Sequence, residues 1–105
     1  MTEIIKLQKS NGIFEISDKG WTGSVLAKYL GDYTEVKLSC PQRMDMNLWI
    51  TALSMKILEI KMSDKKDLWN LVVQKSEKFL KEQLKKEKRN YKELIDIAEK
   101  YVISK

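Results

Sequence analysis

Few residues in this chain are equipped for chemistry. The single cysteine, Cys40, precedes Pro41 and has no histidine to activate it, because the sequence contains none. That absence removes the commonest general base and the commonest metal ligand together. A Cys–His nucleophile, a Ser–His–Asp triad and a Cys/His zinc site are all excluded within the chain. Three carboxylates, Glu93, Asp96 and Glu99, recur at helical spacing, but lysines surround them and a solvated face is expected. No G-x-x-x-x-G-K and no G-x-G-x-x-G occurs, so no phosphate loop is expected. These residue types predict a protein without catalytic activity or cofactor.

Charge and aromatic content offer other chemistry. The 105 residues carry a formal net charge of +5. Residues 1–50 hold six Lys/Arg against six Asp/Glu, so the excess belongs to residues 51–105, which hold fourteen against nine. Lys81, Lys85, Lys86, Lys88 and Arg89 cluster near the end of a helical stretch, offset by Glu82 and Glu87. Such a cluster suits an acidic protein face or a phosphate backbone. It contains one arginine and no interleaved aromatic of the kind that stacks on bases, so nucleic acid is the alternative reading. Three Trp, four Tyr, two Phe and five Met are many anchors for this length. Aromatic residues and Met are favoured at interfaces. Most must fill the core, and the expected surplus lies on the last helix at Tyr91, Leu94 and Tyr101. The predicted partner-binding set is therefore Lys81, Lys85, Lys86, Arg89, Tyr91, Leu94 and Tyr101.

The elements that must position these residues follow from hydrophobic spacing. Hydrophobic residues make up 43% and charged residues 33%, too apolar for a disordered chain and too polar for a membrane protein. No window approaches the roughly 20 apolar residues of a membrane span. An unpaired cysteine and no signal-like run predict a soluble, reducing, cytoplasmic setting.

Four main helices are expected, near 21–30, 46–62, 66–87 and 90–103, after an irregular amino-terminal segment. Trp21, Val25, Leu26, Tyr29 and Leu30 form one stripe that Gly31 ends, with Thr22 or Ser24 as a cap. Ser17-Asp18 reads as a turn or cap. Residues 32–44 read as irregular, with β-prone Tyr33-Thr34-Glu35-Val36. The stretch from Asp45 to Met62 is apolar around most of its circumference, with Thr51, Ser54, Lys56, Glu59 and Lys61 as a narrow polar strip. Such a helix belongs at the centre of a domain. Ser63-Asp64 offers a cap for the next helix. That helix buries Leu68, Trp69, Val72, Val73, Ser76, Phe79, Leu80 and Leu84, with Glu77–Lys81 and Glu82–Lys86 as i,i+4 pairs. The final helix, capped by Asn90, echoes it at an offset of 22 residues. Trp49, Leu53 and Trp69 should be buried with Phe14 and Leu26. The expectation is one all-α domain over residues 1–105, a compact bundle of about four helices.

At the amino-terminal side, Gly12 permits a tight turn, Phe14 folds back onto a helix and Gln8 is placed to bond the turn's backbone. The run Leu7-Gln8-Lys9-Ser10-Asn11-Gly12-Ile13-Phe14, the segment Val25–Gly31 and Leu48-Trp49-Ile50-Thr51-Ala52 occur together with Leu68-Trp69 and Lys75-Ser76-Glu77-Lys78-Phe79-Leu80. Over residues 4–84 this resembles the C-terminal helical module of intracellular VIT/von Willebrand A domain proteins, relatives of the inter-alpha-trypsin inhibitor heavy chains. Phe14 stands where that module has Trp, and residues 85–105 extend beyond it. Vault poly(ADP-ribose) polymerase ends in a similar module, which docks onto the major vault protein. The resemblance implies a non-catalytic docking or cargo-anchoring domain, with a large assembly such as the major vault protein shell among candidate partners. It leaves the oligomeric state open.

Overall fold

Seven helical segments and one 3-10 turn are α1 (Thr2–Ile5), α2 (Asp18–Trp21), α3 (Val25–Leu30), α4 (Tyr33–Ser39), α5 (Met46–Lys61), the turn Ser63–Lys65, α6 (Lys66–Lys86) and α7 (Tyr91–Ile103). They come from a computed structural model, which describes residues 2–16 and 18–105. Among these residues there is no strand, only an isolated antiparallel bridge between Gln8 and Phe14. The fold is all-α, as expected. The expected turn at Ser17 lies outside the described residues.

The central helix is α5. Asp45 starts it by accepting a hydrogen bond from Asn47 N at 2.8 Å. Leu48 through Met55, then Ile57 and Leu58, are buried, so α5 must be covered on most sides. Helices α6 and α7 provide two of the covers. Their 22-residue echo is the imprint of two apolar stripes lying on one helix. Trp49, Leu53, Trp69, Phe14 and Leu26 all belong to one buried cluster, as their spacing predicts.

Each tryptophan also ties a helix end. The Trp21 indole N–H donates to Gly31 O (2.8 Å), that of Trp49 to Val36 O (3.1 Å) and that of Trp69 to Met62 O (2.7 Å). These carbonyls lie at the C-terminal ends of α3, α4 and α5, where intrahelical partners run out. One side chain thus supplies both buried area and a hydrogen bond to a helix-end carbonyl, beside those that Ser39 Oγ gives Val36 O and Lys65 N gives Met62 O.

Four local expectations are corrected. The stretch expected as one helix over 21–30 is broken at Thr22–Ser24, and Ser24 Oγ caps α3 by accepting from Ala27 N at 3.2 Å. Residues 33–39 are helical rather than irregular, because burial of Val36 and the Trp49 bond to its carbonyl outweigh a weak β preference. Thr51 and Ser54 are fully buried rather than part of a polar strip. Finally, α6 begins at Lys66 without a side-chain cap, and Glu82–Lys86 does not close, whereas Glu77–Lys81 does at 2.8 Å.

The amino-terminal turn is held as a clip against α5 and α6. Gln8 does not bond the turn: its Nε2 donates to Val72 O (2.8 Å) and Ser76 Oγ (2.7 Å) on α6. Ser76 Oγ donates onward to Gly12 O at 2.6 Å. Phe14 N donates to Thr51 Oγ1 (2.8 Å), which donates to Asn47 O (2.7 Å). Gly12 sits at φ +102°, and a Cβ there would lie 2.7 Å from Lys75 O and 3.1 Å from Phe79 Cβ. Only glycine meets both demands. The radius of gyration is 12.6 Å, close to the ~13 Å of a compact chain this long. No helix among the described residues is long and apolar enough to cross a membrane.

Candidate functional site

The groups with the chemistry for a reactive site are quiet. Cys40 is half-buried, with Sγ 3.6 Å from Met44 O. Burial foremost, then Asp45, pushes its pKa up, and Arg89 pulls against them. The thiol therefore stays protonated near neutral pH, and the thiol is not the nucleophilic form. Glu93 and Asp96 are exposed, and no group of three His, Cys, Asp or Glu gathers among the described residues to hold a metal.

The predicted partner-binding residues divide into two groups. Lys81, Lys85 and Lys86 are exposed on the last turns of α6. Lys81 pairs with Glu77 and stands 5.3 Å from the centre of the Tyr91 ring. Lys85 and Lys86 have no ion pair among the described residues. Arg89 is half-buried and donates from Nη2 to Gln42 O at 3.0 Å.

The apolar members are not a free surface. Leu94 is 3% exposed and closes the core. Tyr101 is half-buried, donates its hydroxyl to Leu30 O at 3.2 Å and meets Trp49 edge-on, with centroids 6.1 Å apart. Tyr91 is half-buried too, and burial, then Glu77 and Glu59, push its phenol pKa well up. The reason is α5: a helix apolar on nearly every side consumes the stripe of α7 as cover, so no surplus remains on that stripe.

A cleft of about 300 Å³ opens instead where α6 turns into α7. Its lining is Pro41, Met44, Lys88, Arg89, Asn90, Glu93, Leu94 and Ile97. Three local devices shape it. Helix α6 ends in a Schellman motif, with Lys88 N donating to Lys85 O (3.2 Å) and Arg89 N to Leu84 O (2.8 Å). Asn90 Oδ1 caps α7 by accepting from Glu93 N at 3.0 Å. Pro41–Met44 is a turn closed by Met44 N donating to Pro41 O (3.3 Å), and Arg89 ties that turn to the corner.

Both bends carry a residue in the left-handed region. Arg43 has φ +60° and Lys88 has φ +57°, the non-glycine residues with positive φ among those described. Lys88 occupies the position after a helix where glycine is usual, and Arg43 the third turn position, which favours Gly or Asn. Each costs roughly 1–2 kcal/mol relative to glycine.

Of the expected residues, Arg89 and Leu94 line this cleft, together with Met44 and Ile97, which the sequence reading does not single out. Ile97 carried a signal: it is apolar yet falls off the buried stripe of α7, and it is 40% exposed. Leu71, also off its stripe, is 76% exposed, whereas Leu68, expected inside, is 58% exposed. No family model matches the chain, no curated protein matches its sequence, and no solved structure matches its fold.

Proposed function

We propose that the chain is a non-catalytic module that docks onto another protein through the α6–α7 corner, in a cytoplasmic setting. The observation that carries this reading is the cleft itself, in which the apolar side chains of Pro41, Met44 and Ile97, backed by the buried Leu94, adjoin the cations Lys88 and Arg89. Apolar contact supplies affinity, and surrounding charge speeds and orients encounter. The lack of histidine and of phosphate loops supports the same reading. So does the resemblance of residues 4–84 to the VIT/von Willebrand A helical module, which makes the major vault protein shell the first host to try.

The test is co-sedimentation of the full chain with assembled major vault protein, beside titration against single-stranded and duplex nucleic acid. Binding to the shell that survives from about 50 to 200 mM salt is expected, because an apolar contact releases few counterions. Tight nucleic-acid binding that collapses over that salt range, with no binding to protein, would overturn the docking reading. The exposed Lys85, Lys86 and Lys88 would then be phosphate contacts.

A further inference from the structure

The cleft also carries information about what enters it, granted the docking reading above. Residues 85–93 hold Lys85, Lys86, Lys88, Arg89 and Lys92 against Glu87 and Glu93. The cleft lining itself holds Lys88 and Arg89 against Glu93. Arg89 gives one N–H to Gln42 O and retains donors beyond it. The lining contains no aromatic ring, so it offers no platform for a base. Its volume lies at the low end for ligand sites, room for one or two side chains rather than a cofactor.

The backbone adds an independent observation. Elsewhere among the described residues, positive φ falls on glycine, at Gly12, Gly23 and Gly31. At the two bends beside the cleft it falls on Arg43 and Lys88. Glycine would relieve the strain at either position, so what arginine and lysine add there is charge. Backbone strain retained together with charge is a mark of a working surface.

We propose that the α6–α7 cleft receives a short acidic segment of the partner protein. One apolar side chain of that segment sits between Met44 and Ile97, and flanking carboxylates meet Lys88 and Arg89 in the cleft and Arg43 beside it. Glu93 opposes carboxylates at one side of the cleft, which orients the segment with its acidic residues toward the α6 end.

The test uses the full isotope-labelled chain and a terminally blocked acidic octapeptide with two central leucines. Amide shifts on titration should concentrate at residues 41–44 and 88–97. A probe with serines for leucines should bind at least about tenfold more weakly, as apolar anchors dominate small contacts. The Arg43→Gly/Lys88→Gly double variant should bind about fivefold more weakly at low salt, while melting higher than the parent chain. Ile97→Asp, at an exposed position, should abolish binding and leave the fold intact. Unchanged affinity in the double-glycine variant overturns the proposal. Peptide shifts that map to another face overturn the cleft as the acidic-segment site and leave protein docking standing. Nucleic acid that occupies the cleft in place of the peptide overturns both readings.

Discussion

The amino-terminal clip and the α6–α7 corner are both bends that involve α6, yet they are built to opposite rules. In the clip, the position that needs positive φ is Gly12, and its carbonyl and the Gln8 amide both find partners through Ser76. In the corner, positive φ falls on Arg43 and Lys88, and the apolar floor lies open. The clip is optimised for the folded state. The corner gives up stability and keeps charge and an accessible apolar surface. The contrast teaches that strain is better read by location than by amount, since the same backbone conformation is relieved at one bend and tolerated at the other.

The largest effect tests the frame that both regions share. Trp49→Ala should cost about 3–5 kcal/mol in urea unfolding and leave little folded protein. A loss below about 1 kcal/mol would remove α5 as the common support. Within the clip, Gly12→Ala should cost about 3 kcal/mol, from left-handed strain and overlap with the α6 backbone. If it costs no more than an exposed loop substitution, the clip is not seated on α6.

Ser76→Ala should cost about 2 kcal/mol, because a carbonyl and an amide lose their buried partner at once. A near-neutral result would mean that the node is solvated, and the contrast with the corner would weaken. In the corner the sign reverses: Lys88→Gly should stabilise by about 1 kcal/mol, seen as a higher melting temperature. Destabilisation there would show that Lys88 makes a structural contact, and the two bends would then follow one rule. The smallest effect concerns Cys40. Its alkylation should reach half-maximal rate at a pH above that of an ordinary thiol, because burial and Asp45 outweigh Arg89. A half-point at or below the ordinary value would place Arg89 in control and make the corner more electropositive than its geometry indicates.

What was legible in the sequence was legible locally. The helices α5, α6 and α7 follow from 3.6-residue spacing, and Asp45, Asn90, Ser24 and Gly31 mark ends because caps are short-range chemistry. Residues 33–39 carry no local helix signal, because only the remote Trp49 and the core make them helical. Thr51 and Ser54 looked like a solvent strip because spacing cannot reveal that the clip covers Thr51. Tyr91, Leu94 and Tyr101 look like surplus in the sequence because the area that α5 needs covered is a property of the whole fold. The cleft was the least legible feature. Its walls come from residues 41–44 and 88–97, distant in sequence, and only the off-stripe Ile97 hinted at it.

The clip also sets an order of events in the life of the chain. Gln8 and Gly12 leave the ribosome well before their partner, since Ser76 follows them by 68 and 64 residues. Thr51, the partner of Phe14, follows by 37. The bonds of Gln8 and Gly12 thus wait on residues made much later. Loop-closure entropy grows only logarithmically with length, so the separation burdens the finished protein little and delays its folding more. A nascent chain that stops short of Ser76 holds Gln8 and Gly12 without that acceptor and donor, so vectorial synthesis delays seating of this segment until α6 is made.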